Sequence, residues 1–198
     1  MTKSTVLAVL VGVLLTACTP TRFAGHYERA DNIYANDAAG FSLTIPPHWV
    51  VYTQRQDFTV PLQLRPDQEQ VLEAYDPTFR LGLVIVVQQG PLLAIDELVR
   101  RMQAVPEDQV AQRLRAPYAT DFRQLGLRTL VLKGREVAEW IYTVRDTTAG
   151  RDVTVSSYIV KAGERYVYLT FSIPAAQYGA AKPVITSLLH TLTLTIDA

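Results

Sequence analysis

Apolar and polar positions alternate in short runs over most of the chain, and these runs predict strands more often than helices. Residues 41–45 read Phe-Ser-Leu-Thr-Ile, apolar at every second position, as in a half-buried strand. Pro46-Pro47 ends the run, because proline cannot donate to a strand ladder. Trp49-Val50-Val51-Tyr52-Thr53 then predicts the return strand of a hairpin. A short helix is expected over 67–75. Residues 81–87 are almost wholly apolar and rich in β-branched side chains, as in a strand covered on both faces. After Gly90-Pro91 the period lengthens: Leu92, Ile95, Leu98, Val99, Met102 and Val105 form one apolar stripe with charges between them. That pattern predicts an amphipathic helix. A second short helix, entered through Pro106, is expected over 107–114. Four strand-like runs follow at 127–133, 136–145, 151–161 and 165–173, separated by turn residues such as Gly134 and Ala162-Gly163. Short turns between strands predict an antiparallel meander. Pro174 closes it, and a last helix is expected over much of 177–190, with Pro183 kinking it or opening its second half. The order of elements predicts an α+β domain. Its expected architecture is an α/β/α sandwich on a mainly antiparallel sheet, made of an N-terminal hairpin, a central helix, a four-stranded meander and a C-terminal helix.

The N-terminus follows a different pattern. Lys3 precedes a continuous apolar run over 6–17, shorter than the ~20 residues a spanning helix needs and of the length of a signal-peptide core. The run ends in Leu15-Thr16-Ala17-Cys18, which looks like a bacterial lipobox and contains the only cysteine of the chain. In such signals the thiol receives a diacylglyceryl group, the chain is cut before the cysteine, and the new amino terminus is usually acylated. The expected organisation is a signal peptide over 1–17, a lipidated N-terminus and flexible tether over 18–39, and one domain over 40–198. Thr19, where inner-membrane retention signals often carry Asp, leans towards the outer membrane of a Gram-negative cell. The expected location is a bacterial membrane, with the domain facing the periplasm or the cell exterior.

Composition narrows the function. The chain has 198 residues, 48% apolar and 19% charged, enough to bury a core. Its nineteen basic and nineteen acidic residues give no net charge, and a nucleic-acid binder would carry a basic excess. One cysteine excludes an internal disulfide framework. His26, His48 and His190 share no metal-ligand spacing. No Gly-x-Ser-x-Gly elbow, phosphate loop or dinucleotide fingerprint is present. Neither catalytic residues nor a cofactor nor a metal is therefore expected.

The meander offers the one surface with chemical character. Val167, Leu169, Phe171 and Ile173 share one side of their strand. Trp140, Tyr142, Tyr158, Tyr166 and Tyr168 are read as the opposite, aromatic face. That face is either packed beneath a helix or partly open as a ligand or partner surface.

Gly40-Phe41-Ser42-Leu43-Thr44-Ile45-Pro46 followed by Trp49 resembles the opening of PsbP-like domains. The strands around Tyr142, Tyr158 and 166–171, then Pro174, Tyr178, Ile185, Ser187 and Leu188, are similar to the later part of that pattern. The resemblance spans roughly 40–196. The fold group includes PsbP, an extrinsic subunit of photosystem II, the Mog proteins that bind the GTPase Ran, and the bacterial lipoprotein DcrB. It implies a non-enzymatic protein-binding or assembly module; with the lipobox, that module is expected on the cell envelope, held by lipid at Cys18, with an envelope protein as partner and as a monomer. The alternative is a small-molecule or lipid carrier using the aromatic face; an enzyme has no motif in its favour.

Overall fold

The computed structural model describes residues 22–195 apart from 60, 61, 63, 91 and 115–118. The segment expected to be a signal peptide, Cys18 and the last three residues lie outside the described residues. The first described segment is already part of the domain. Strands β1 (His26–Glu28), β2 (Ile33–Asn36) and β3 (Phe41–Thr44) form an antiparallel sheet, completed by β11 (Thr193–Leu194) beside β3. Phe23 is buried, and Tyr34, Asn36 and Ala39 have no exposed surface. Residues 22–39 are thus not the tether their sequence suggested. Their few apolar side chains are spaced too irregularly to signal strands, yet Phe23, Tyr34 and Ala39 land in the core. Asn36 fixes the segment: its Nδ2 donates to the Phe23 carbonyl (2.9 Å) and the Tyr34 hydroxyl (3.0 Å), and its Oδ1 accepts from the Ala39 N–H (2.9 Å).

The second sheet has seven antiparallel strands in the order β4-β5-β6-β10-β9-β8-β7. They are β4 (Val50–Tyr52), β5 (Gln68–Asp76), β6 (Leu81–Gln89), β7 (Ala119–Leu132), β8 (Arg135–Asp146), β9 (Arg151–Ala162) and β10 (Arg165–Pro174). The β7–β10 meander matches expectation. Two other elements do not. The turn at Pro46-Pro47 closes no hairpin; it passes the chain from β3 in one sheet to β4 in the other. The helix expected over 67–75 is strand β5. Its Gln- and Glu-rich stretch has good helix propensity, but Val71, Leu72 and Ala74 are buried between β6 and the small sheet, and tertiary burial overrides propensity. A register shift between Gln70 and Leu72 turns both Val71 and Leu72 into the core.

Helix α1 (Ile95–Gln103) and helix α3 (Tyr178–Thr191) cover opposite faces of the large sheet; α2 (Glu107–Leu114) contacts β7. Leu83, Ile85, Val167, Leu169, Phe171 and Ile173 form the main core with Ala181, Ile185, Leu188 and Leu189 of α3 and with Phe41, Leu43 and Ile45. Burying each large side chain contributes roughly 1.5–3 kcal/mol. Ile95 and Val99 of α1 form a smaller core on the other face with Ala138, Ile159 and Tyr166. Pro183 lies within a helix that runs on to Thr191.

Candidate ligand and partner face

Pairing registers fix which side chains share a side of the large sheet. Arg165 pairs with Ala162, so Tyr168 lies beside Ile159 and Tyr158 beside Leu169. Glu139 also pairs with Tyr158, whereas Trp140 pairs with Ser157 and Tyr142 with Val155. Tyr166, Tyr168, Trp140 and Tyr142 therefore share the side of α1. Tyr158 belongs to the opposite side, with α3. Alternation within β9 does not give this side; the registers of β9 against β8 and β10 set it. The Tyr158 hydroxyl donates to Glu139 (3.1 Å), a carboxylate only 4% exposed that also accepts from Arg128 Nε at 2.7 Å. Burial pushes the Tyr158 phenol up, so it remains a donor to that carboxylate.

On the α1 side the aromatic residues form two groups. Tyr166 and Tyr168 meet edge to face at 6.1 Å. Tyr166 is buried and donates to the Leu93 carbonyl just before α1 (2.8 Å), while Tyr168 donates to Gln88 (2.5 Å). Both hydroxyls are committed within the fold. Trp140 and Tyr142 lie further along the sheet, their rings 4.6 Å apart, each partly exposed. Between the two groups, the Ser157 and Thr170 hydroxyls share a hydrogen bond of 3.0 Å.

Phe122 joins the second group, 5.3 Å from Tyr142 and 6.4 Å from Trp140. The register of β7 against β8 shifts between Thr120 and Arg123, where Asp121 takes φ 53°. The extra residue re-aims the strand and places Phe122 against the rings of β8. No periodicity announces such a bulge; an isolated Asp-Phe ahead of the expected strand at 127 was the only trace. The Trp140 Nε1 donates to Gln124 Oε1 (3.0 Å), and the Gln124 N–H donates to Glu107 of α2 (2.9 Å). Burial raises the Tyr142 phenol to about 12, and it raises Tyr168 to the same level despite opposition from Arg65. These hydroxyls are neutral donors at physiological pH and not bases.

His48 Nε2 lies 3.5 Å from Asp76 Oδ1; the histidine side chain is 54% exposed and the carboxylate is buried. That oxygen also accepts from the Thr78 N–H (2.8 Å). His190 sits in the last turn of α3 with Nδ1 2.7 Å from the Thr186 carbonyl. Among the described residues no group of acids, histidines or cysteines has the arrangement of a metal site, and no helix is long and apolar enough to cross a membrane.

Three clefts are described, of about 480, 380 and 230 Å³. None is lined by the five aromatic residues or by His48. The largest lies along the start of β5, bounded by Arg55, Phe58, Leu62, Leu64 and Arg65.

No protein family and no curated protein matches the sequence. Solved structures do match. Cyanobacterial PsbP (CyanoP) of Synechocystis aligns with a TM-score of 0.52 at 10% identity, over 90% of this chain and 95% of that one. The Ran-binding protein Mog1p of Saccharomyces cerevisiae aligns at 0.40 and 12% identity, over 89% and 97%. LpqN of Mycobacterium tuberculosis, involved in cell envelope biogenesis, aligns at 0.39 and 11% identity, over 75% and 92%. The chain has the PsbP-like fold, α+β with mainly antiparallel sheets.

Proposed function

We propose that this protein is a lipid-anchored, non-enzymatic binding module of the bacterial cell envelope, which presents Phe122, Trp140 and Tyr142 to a protein partner. The observation that carries the binding role is the three-ring cluster at the β7–β8 edge, in which Phe122, Trp140 and Tyr142 each keep part of their surface exposed beside α2. Rings of this kind combine large contact area with few rotatable bonds and dominate interface hot spots. Leu125, in the second register shift of the same outer strand, is 51% exposed. Phenols held neutral by burial favour recognition over proton transfer. The lipobox supplies the anchor at Cys18, and Thr19 favours the outer membrane.

Phe122→Ala combined with Tyr142→Ala removes two rings and leaves Trp140 to hold Gln124. Capture of the partner by crosslinking in cells should fall about 30-fold or more, since a hot-spot truncation costs ~2 kcal/mol or more. Circular dichroism should stay native. Undiminished capture by a folded double variant would refute the assignment of this surface.

A further inference from the structure

The end of the large sheet at which the chain enters has a chemistry of its own. Arg22 donates its backbone N–H to Glu69 near the start of β5 (3.1 Å), and the Phe23 ring lies beneath the Arg165 guanidinium at the start of β10 (5.3 Å). Only Thr19, Pro20 and Thr21 separate Arg22 from Cys18. Fully extended, that link spans at most about 14 Å. The twelve residues of β9 run about 40 Å to the opposite end. A lipid on Cys18 therefore holds this end, and not the Thr147 end, against the bilayer.

The same end is built for such a surface. Arg22, Arg65, Lys133 and Lys161 are exposed there. Of the neighbouring acids, Asp67 is paired with Arg65, while Glu69 accepts a backbone N–H from Arg22 and keeps its charge, as do Glu136 and Glu164. Leu62 (39% exposed), Leu64 (38%) and Val131 (70%) add apolar side chains around the same rim. All three described clefts open here. The largest brings Arg55 and Arg65 together with Gln70, which is 8% exposed and whose Nε2 has no partner; Glu69 Oε1 is also unpartnered. The buried Gln70 amide donor beside two guanidinium groups suits a phosphate oxygen, with the Glu69 carboxylate at the margin as an opposing charge.

We propose that this end of the domain docks on an anionic phospholipid bilayer, with Leu62 and Leu64 in the headgroup layer and Arg55, Arg65 and Lys161 against phosphates. This rests on lipid attachment at Cys18 and adds an orientation: the aromatic cluster then points away from the membrane.

The test uses the full lipidated chain reconstituted in vesicles containing phosphatidylglycerol and a brominated-lipid quencher. A fluorophore is attached to Leu62→Cys or to Thr147→Cys. Intact mass first establishes whether Cys18 carries lipid. With lipid present, quenching should be strong at position 62 and near background at 147. Arg65→Glu with Lys161→Glu should shift the population about 25-fold away from the docked orientation, about fivefold for each basic residue near the surface. Equal quenching at both positions, or stronger quenching at 147, overturns the docking proposal while the anchor stands. Absence of lipid on Cys18 overturns the anchor and the docking together.

Discussion

Replacing Cys18 with Ser should abolish incorporation of labelled palmitate and move the protein from the membrane to the soluble fraction. The size of the effect follows from acyl chemistry. Each buried methylene contributes about 0.8 kcal/mol, one chain holds a protein only marginally, and two or more hold it stably. Removing the cysteine removes every chain at once. No helix among the described residues offers a substitute anchor. Labelling is the deciding readout, because an uncleaved signal with its apolar run over 6–17 retains some membrane affinity of its own. Persistent palmitate incorporation in the Ser variant would contradict acylation at this position.

Asn36→Ala should lower the melting temperature by about 6–12 °C. Asn36 has no exposed surface, and its amide satisfies Phe23, Tyr34 and Ala39 together. Truncation strands the Phe23 carbonyl, at a cost of about 1–3 kcal/mol, and takes from the Tyr34 hydroxyl and the Ala39 N–H one of their two partners, at about 0.5–1.5 kcal/mol each. A loss of about 3 kcal/mol corresponds to that shift for a domain of this size, at ~2–4 °C per kcal/mol. Were residues 22–39 a loose tether, the substitution would lie within about 0.5 kcal/mol of neutral, as surface changes do. The result bears directly on orientation, because the short link to Cys18 exists only if Phe23 and Asn36 are fixed in the fold.

The parts of the structure that repeat regularly were legible in the sequence. Strands β8, β9 and β10 are apolar runs bounded by turn residues and Pro174, with β10 alternating along most of its length, and α1 carries its stripe at three- and four-residue spacing. What escaped detection depends on contacts distant in sequence. Tyr34 is buried because its hydroxyl reaches the Val71 carbonyl (3.0 Å), thirty-seven positions away. Gly25 has no side chain because a Cβ there would lie 2.1 Å from that same hydroxyl. Strand β5 gains its identity from β6 and the small sheet. The aromatic surface was half legible: Trp140 and Tyr142 lie where alternation places them, Tyr158 does not, and Phe122 arrives through a bulge at Asp121. Parity within one strand follows from sequence, whereas parity between strands is set by turn register.

The central claim is a domain held with one end on the membrane and its aromatic end turned to a protein. A photoreactive amino acid placed in the full chain at Tyr142, and separately at Lys161, tests it most directly in living cells. The account predicts a discrete protein adduct from position 142, and lipid adducts with no discrete protein adduct from position 161. A protein adduct at 161 with none at 142, or lipid adducts at 142, would contradict it.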